Sequence, residues 1–328
     1  MEAIWDAGVA LILWLQSLGG WLIAPMRFIS FFGDEEFFLL LLPMLFWSVN
    51  TSLGLRIGVM LLLSTNLNHV LKLAFHHPRP YWYNVHVLAL SSETTFGLPS
   101  GHAQQSAAIW GLFAALIRRR WAWVSALILI LLIGISRLYL GVHFPTDVLL
   151  GWLIGALMVW AFVRWEPAVL ASIRRWSYNQ QVAVAFIVSL ALIGLGLLLQ
   201  LYSQGQHLPI TWTQNALAVG AEAPEPYSLD NIFSTAGVMF GLCGGAAWLL
   251  SRGWFSSDGT FQQRALRYLI GVAGVLLFWF VLGRVLPRGD TALAYSLRFV
   301  RYALVGVWVS GWAPALFIRL GLAQPNER

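Results

Sequence analysis

The chain has 328 residues, 59% of them hydrophobic and only 10% charged, where an ordinary soluble domain carries about 25% charged residues. That balance excludes a typical soluble globular protein. The apolar residues recur in blocks of roughly 17 to 25, the length that crosses about 30 Å of hydrocarbon, so the expected fold is an all-α, polytopic membrane helix bundle. Eighteen Trp and 30 Gly suit that class, because Trp anchors at the lipid boundary and Gly lets helices approach closely. The single cysteine, Cys243, excludes an intrachain disulfide framework. A formal charge of +6 does not point to nucleic acid, since the positive residues stand singly at the ends of apolar runs, where they set topology.

In chain order, residues 4–31 are apolar but broken by Gly19-Gly20 and Pro25, which predicts interfacial or re-entrant helices rather than a clean span. The opening Met-Glu-Ala-Ile-Trp-Asp has no basic n-region, so no removable signal peptide is expected. About nine spans follow, at 36–50, 53–75, 101–117, 121–140, 146–164, 183–201, 232–250, 266–285 and 293–318. A break near 165–180 divides them into residues 1–165, which hold nearly every polar group suited to chemistry, and an additional set of membrane helices in 166–328. Arg118-Arg119-Arg120 fixes the cytoplasmic side. Counting turns from there puts Arg56, Arg164, Arg174, Arg175, Arg252, Arg264, Arg267 and Arg319 on that side, and Glu222, Glu225 and Asp230 on the other, together with Lys72, Arg79, His102, Arg137, His143 and Asp147. The expected location is the cell (inner) membrane, multi-pass, with those residues extracytoplasmic.

Lys72 is the only lysine. It stands near the end of a span that also carries Asn66, Asn68 and His69, and polar groups at membrane depth are costly unless they are used or paired. Taken alone it could snorkel to the interface. Seven residues on, Arg79 lies in His77-Pro78-Arg79-Pro80, where the prolines end the helix and turn the chain. Pro99-Ser100-Gly101-His102 opens the next span: a helix N-terminus offers unpaired N–H groups and a positive dipole end, and Ser100 supplies either an anion contact or an ordinary N-cap. Ser136-Arg137 and then His143-Phe-Pro-Thr-Asp147 return to the same side. With a spacing of four, the Asp147 carboxylate can reach the His143 ring and fix its tautomer. Three fixed cations beside a helix N-terminus suit a phosphate, and an oriented histidine with a second histidine nearby suits attack followed by leaving-group protonation.

Lys72 with six residues to Arg79-Pro80, then Pro99-Ser100-Gly101-His102, then Ser136-Arg137 with five residues to His143 and three to Asp147, resembles the three-part signature of the type 2 phosphatidic acid phosphatase superfamily. All three parts match without gap or substitution, across roughly residues 35–165. The resemblance implies a phosphatase that needs no metal or other cofactor, related in its site to vanadium haloperoxidases. It implies His143 as the nucleophile, Asp147 as its orienting partner and His102 as the acid, with Lys72, Arg79, Ser100, Gly101 and Arg137 holding the phosphoryl group. Gly33-Asp34-Glu35-Glu36-Phe37-Phe38, Leu42-Pro43, Trp47 and Glu93 are similar to the sphingosine-phosphate phosphatase branch. Spans from about 183 onward are an addition to the smallest members of the family.

Six of the seven histidines lie between His69 and His143, yet no thiolate pair or carboxylate cluster accompanies them, so no metal site is expected. Gly237, Gly241 and Gly245 repeat every four residues on one helix; such a face packs within a bundle or forms a homodimer. Arg284, Arg288, Arg298 and Arg301 either pair with Glu222, Glu225 or Asp230 or hold an anionic headgroup. The partners expected are the bilayer and a lipid phosphate or pyrophosphate, and the intact histidine set favours an enzyme over a binder or transporter that reuses the fold. A soluble phosphate ester, as in the glucose-phosphatase branch, remains the third candidate.

Overall fold

A computed structural model describes residues 2–203 and 207–326 and is almost entirely helical. α1 (Glu2–Ser17) and α2 (Ile23–Phe31) meet at 90° across the Gly19-Gly20 break. Gly19 takes φ +112° there, a conformation that side-chain-bearing residues rarely adopt. Then come α3 (Glu35–Met44, continued by a π-helical turn Leu45–Val49), α4 (Thr51–Phe75), the single turn α5 (Pro80–Tyr83) and α6 (Gly101–Ile117). They are followed by α7 (Arg120–Tyr139), α8 (Pro145–Ile173), α9 (Tyr178–Ser203) and α10 (Ile210–Ala218). The chain ends with α11 (Asp230–Ser251), α12 (Phe261–Leu276), α13 (Leu282–Val285), α14 (Ala292–Val307) and α15 (Ala313–Arg319). Strand among the described residues is confined to a two-residue antiparallel pairing of Trp254–Phe255 with Pro325–Asn326.

Seven helices among the described residues are long and apolar enough to cross a membrane, or eight if the bent α1–α2 pair crosses as one. The count of nine read from apolar runs is not reached. The run at 36–50 is a shorter helix carrying Pro43 and ending in the π turn. The run at 101–117 is a 17-residue helix with Gln104, Gln105 and Ser106 buried along it, about 25 Å long at 1.5 Å per residue.

By compactness the chain forms two units: residues 1–38, 67–163 and 196–228, and residues 39–66, 164–195 and 229–328. The signature residues all fall in the first unit.

In the first unit, α6 and α8 approach closely. A Cβ at Gly151 would stand 2.8 Å from the Ser100 carbonyl oxygen and 3.0 Å from the Ala103 Cβ, and one at Gly155 would press on Ala107. This small-residue seam sets the start of α8, with Asp147, against the start of α6, and the Ser100 N–H donates to the Asp147 carbonyl at 3.0 Å. Below the connecting loops lies an aromatic core of Tyr81, Trp82, Phe96, Tyr139 and Phe144, closed by Val9 and Ile12 of α1. Residues 215–225 are tied to the same loops. Asn215 donates to the Trp82 carbonyl at 2.9 Å, and the backbone N–H groups of Glu222 and Glu225 bond Ser92 Oγ and the Thr94 carbonyl, each at 2.9 Å.

In the second unit, the Gly237, Gly241 and Gly245 face of α11 is filled from within the chain. A Cβ at any of them would run into the backbone of Phe299, Ala303 or Val307, so the close approach these glycines permit is to α14.

Candidate active site

The site is assembled from helix ends and the loops between them. α4 delivers Lys72 one turn before its end at Phe75. Arg79 follows the break, fully buried, and spreads its guanidinium over the 93–96 loop. Its Nε donates to the Thr95 carbonyl at 2.6 Å, Nη2 to Thr95 Oγ1 at 3.1 Å and the Phe96 carbonyl at 3.2 Å, and Nη1 to the Val142 carbonyl at 3.0 Å. Lys72 Nζ donates to the same Thr95 hydroxyl at 2.8 Å. Arg137, in the last turn of α7, donates from Nη1 to Ser30 Oγ at 2.8 Å and from Nη2 to Glu93 Oε1 at 2.5 Å, while its buried Nε has no partner.

Glu93 is the counter-ion of this cluster. Its two oxygens face Arg137 at 2.5 Å and Arg79 at 3.5 Å. Burial opposes ionisation of its carboxyl, but the facing charges of Arg79, Arg137 and Lys72 outweigh that and hold it well below the usual carboxylate range.

Beyond Arg137, Gly141 at φ +77° makes the tight turn that brings Val142 and His143 back over Arg79; a Cβ there would collide with the Leu88 carbonyl. His143 is 1% exposed. Its Nδ1 lies 3.4 Å from Asp147 Oδ2, and its Nε2 lies 3.4 Å from Arg79 Nη1. A carboxylate only accepts and a guanidinium only donates, so the ring proton belongs on Nδ1 and the lone pair on Nε2. Burial pushes the His143 ring down from 6.5 to about 3, with Asp147 opposing and Arg79 assisting, which keeps it neutral at ordinary pH. A neutral imidazole with its Nε2 lone pair aimed into a nest of cations is the form a nucleophile at phosphorus requires.

Asp147 also bonds the Phe144 N–H through Oδ2 at 2.9 Å. Its Oδ1 lies 3.3 Å from His77 Nδ1, and neither atom makes a hydrogen bond among the described residues. Trp5 of α1 fixes His77 from the far side, its indole N–H donating to His77 Nε2 at 2.6 Å. An indole can only donate, so His77 accepts at Nε2 and, when neutral, carries its proton on Nδ1, toward the carboxylate. Asp147 thus lies between two imidazoles, within 3.4 Å of His143 and 3.3 Å of His77.

At the start of α6, Ser100 Oγ accepts from the Ala103 N–H as an N-cap and keeps its own hydrogen free to donate. Gly101 sits against Asn68 Oδ1, and Asn68 also bonds the Pro99 carbonyl and Gln104, pinning this turn to α4. His102 turns its Nε2 to Asp34 Oδ1 at 2.5 Å.

Every sequence-predicted site residue therefore lies in this one assembly: Lys72, Arg79, Ser100, Gly101, His102, Arg137, His143 and Asp147. Trp5, Ser30, His77 and Thr95 join it without any sequence signal that marked them. Asp34 and Glu93 had one, the branch-like segments at 33–38 and before Pro99. Among the described residues no three His, Cys, Asp or Glu side chains converge as a metal site would require.

The PAP2 superfamily model matches residues 53–171, and the model for the PAP2 superfamily phosphatase transmembrane extension matches 233–325. Phosphatidylglycerophosphatase B of Bacillus subtilis is 31% identical over 151 residues, covering 42% of this chain and 72% of that protein. The chain belongs to the PAP2 superfamily. Glucose-6-phosphatase 3 of Bos taurus is 28% identical over 256 residues, 70% of this chain and 71% of its own. The crystal structure of a transmembrane PAP2-type phosphatidylglycerolphosphate phosphatase from Bacillus subtilis aligns with 52% of this chain and 89% of its own, at 27% identity and a TM-score of 0.46. This PAP2 protein is a membrane phosphatase, a hydrolase of phosphoric esters, and its signature residues all fall inside the 53–171 match.

Proposed function

We propose that this PAP2 phosphatase hydrolyses a lipid phosphate or lipid pyrophosphate in two steps without a metal. The observation that carries the reading is the His143–Arg79 geometry: a neutral imidazole whose Nε2 lone pair lies 3.4 Å from the most heavily anchored of three cations. In the first step Nε2 attacks phosphorus, forming a P–N bond as the P–O bond to the leaving group breaks. Lys72, Arg79, Arg137, the Ser100 hydroxyl and the Gly101 N–H hold the phosphoryl oxygens and stabilise the charge that builds on them. Asp147 stabilises the positive ring that forms, and His102 gives its proton to the departing oxygen. In the second step His102 takes a proton from water, which attacks phosphorus and releases phosphate and the free imidazole.

A lipid substrate is supported by the apolar chain and by the phosphatidylglycerophosphatase relative. The positive Arg118-Arg119-Arg120 loop supports a catalytic site opening to the extracytoplasmic side of the cell membrane. Residues 1–165 form the catalytic module in this reading, and 166–328 the addition, which contains the matched transmembrane extension. A second reading, hydrolysis of a soluble sugar phosphate, is favoured by the longer alignment to the glucose-6-phosphatase relative.

The test is phosphate release by purified protein against phosphatidate, phosphatidylglycerophosphate, a prenyl diphosphate, a sphingoid phosphate and glucose 6-phosphate, with excess chelator in every arm. Turnover of at least one lipid, abolished in His143→Ala, is expected, with an acid-labile phosphoenzyme trapped from the wild type alone. Preference for glucose 6-phosphate would transfer the assignment to the second reading. Activity of His143→Ala within threefold of wild type would remove the covalent mechanism.

A further inference from the structure

The transmembrane extension holds a polar cavity of its own, apart from every residue of the catalytic assembly. It has a volume of about 670 Å3 and is walled by the α12–α13 end, the Leu286–Gly289 turn and one face of α14. Four arginines line it, Arg284, Arg288, Arg298 and Arg301, against a single carboxylate, Asp230. Arg298 Nη2 meets Asp230 Oδ2 at 2.5 Å, so that carboxylate is already taken. Among the described residues no carboxylate forms an ion pair with the other three, Arg284, Arg288 and Arg301.

Their surroundings hold them in place without neutralising them. The Arg284 guanidinium lies 4.0 Å from the centre of the Phe280 ring and that of Arg301 4.7 Å from the centre of the Tyr302 ring; a ring face supports a cation but accepts none of its in-plane N–H donors. Arg288 Nη2 donates to the Gly283 carbonyl, and the buried Arg301 Nε has no hydrogen-bond partner among the described residues. Arg298 and Arg301 stand six and nine residues beyond the first residue of α14, about 9 and 14 Å along a helix that rises 1.5 Å per residue. An uncompensated guanidinium at the depth of Arg301 in a spanning helix is costly unless an anion joins it. Trp279 and Tyr302 in the same lining are the aromatic types that sit at headgroup level.

We propose that this cavity binds a phosphoryl group, with Arg301 at its inner wall and Arg284 and Arg288 at its rim making forked contacts to the phosphate oxygens. That chemistry is shared by an anionic phospholipid headgroup and by free inorganic phosphate. The site is independent of the catalytic reading, because none of its residues takes part in the assembly around His143.

The experiment uses the full chain, purified and delipidated in detergent. Native mass spectrometry counts bound dioleoylphosphatidylglycerol, a phosphodiester that a monoester phosphatase leaves intact, and bound dioleoylphosphatidylcholine for comparison; equilibrium dialysis counts bound inorganic phosphate. Variants are Arg284→Gln, Arg301→Gln, their combination, and Arg301→Lys, which keeps the charge. Phosphatase turnover, unchanged in all four, certifies their fold. The wild type should hold one phosphatidylglycerol at least tenfold more tightly than phosphatidylcholine, the combined variant should lose that preference, and Arg301→Lys should retain most of it. Loss of one equivalent of inorganic phosphate in the combined variant, with no lipid preference in the wild type, supports the site with free phosphate as its source. Equal binding of both probes by wild type and combined variant overturns it.

Discussion

Asp34→Asn separates the proton-donating role of His102 from a structural one. Asp34 Oδ1 lies 2.5 Å from His102 Nε2, with the two side chains 34% and 17% exposed. If His102 gives a proton to the leaving group, Asp34 holds the ring through Nε2–H and stabilises its protonated form, leaving Nδ1 as the nitrogen that exchanges the proton. Asparagine keeps the shape and an acceptor oxygen and removes the charge. A charge-assisted hydrogen bond contributes about 1.5–3 kcal/mol. The one-third exposure of Asp34 screens the pair and puts the expected loss near the lower bound, about 10- to 30-fold in rate at 1.4 kcal/mol per tenfold. The loss should fall on kcat for an alkyl phosphate, whose leaving oxygen is strongly basic. With p-nitrophenyl phosphate, whose leaving group departs without help, kcat should stay within about threefold of wild type. His102→Ala should show the same split, only larger. The assay is steady-state turnover of both substrates by wild type and the two variants. Equal losses with alkyl and aryl substrates would refute the reasoning and leave Asp34 as a packing residue.

Glu93→Gln should weaken the empty protein and tighten its hold on phosphate. Removing the one carboxylate between Arg79 and Arg137 should cost about 3 kcal/mol of stability, while phosphate or vanadate, no longer competing with it, should raise the melting temperature by more than in wild type; an equal ligand-induced shift contradicts this. His143 has a depressed pKa, so between about 3 and 6.5 the folded chain binds fewer protons than the unfolded chain. Its contribution to stability is complete above 6.5 and is lost as the pH falls toward 3. Thermal melts should therefore show wild type losing more stability than His143→Gln between pH 7 and pH 4, and parallel losses would rule this out. For topology, Ser228→Cys should react with an impermeant maleimide in intact cells and Ser177→Cys only after permeabilisation; both serines are exposed. The reverse pattern puts the catalytic site on the cytoplasmic side.

The signature residues were legible because each sits at a helix end that the sequence itself marks. Pro78 and Pro80 stop α4 after Lys72, Ser100-Gly101 starts α6, and Pro145 starts α8 just before Asp147. Position at a helix end fixes depth, and shared depth brings residues 70 positions apart onto one level. Length was less well read. Continuous apolarity counts any run as a span, and neither α3 nor α6 meets the length and apolarity of a crossing helix. In α6 the buried Gln104 accepts from Asn68, and that contact is tertiary and leaves no periodic trace.

The residues that escaped the sequence share a different property: their importance depends on which ring nitrogen or which oxygen they face. Trp5 is one apolar residue in an apolar helix, and only its 2.6 Å bond to His77 makes it the group that decides the His77 tautomer and so which His77 proton faces Asp147. His77 reads as a neighbour of Arg79 until its Nδ1 is found 3.3 Å from Asp147 Oδ1. Thr95 is a loop threonine until Lys72 and Arg79 are both seen to donate to it. Motif spacing locates the cations and the two signature imidazoles, His102 and His143. The supporting groups arrive from α1, the end of α2 and the turn after it, the 76–79 break and the 93–96 loop, where no helical period links them to the motifs. Their arrangement nonetheless sets the chemistry. A neutral His143 with its lone pair toward Arg79 requires Asp147 ionised and held at Nδ1. Asp147 keeps its place through the Ser100 N–H on its carbonyl, the Phe144 N–H on its carboxylate and the His77–Trp5 contact behind it.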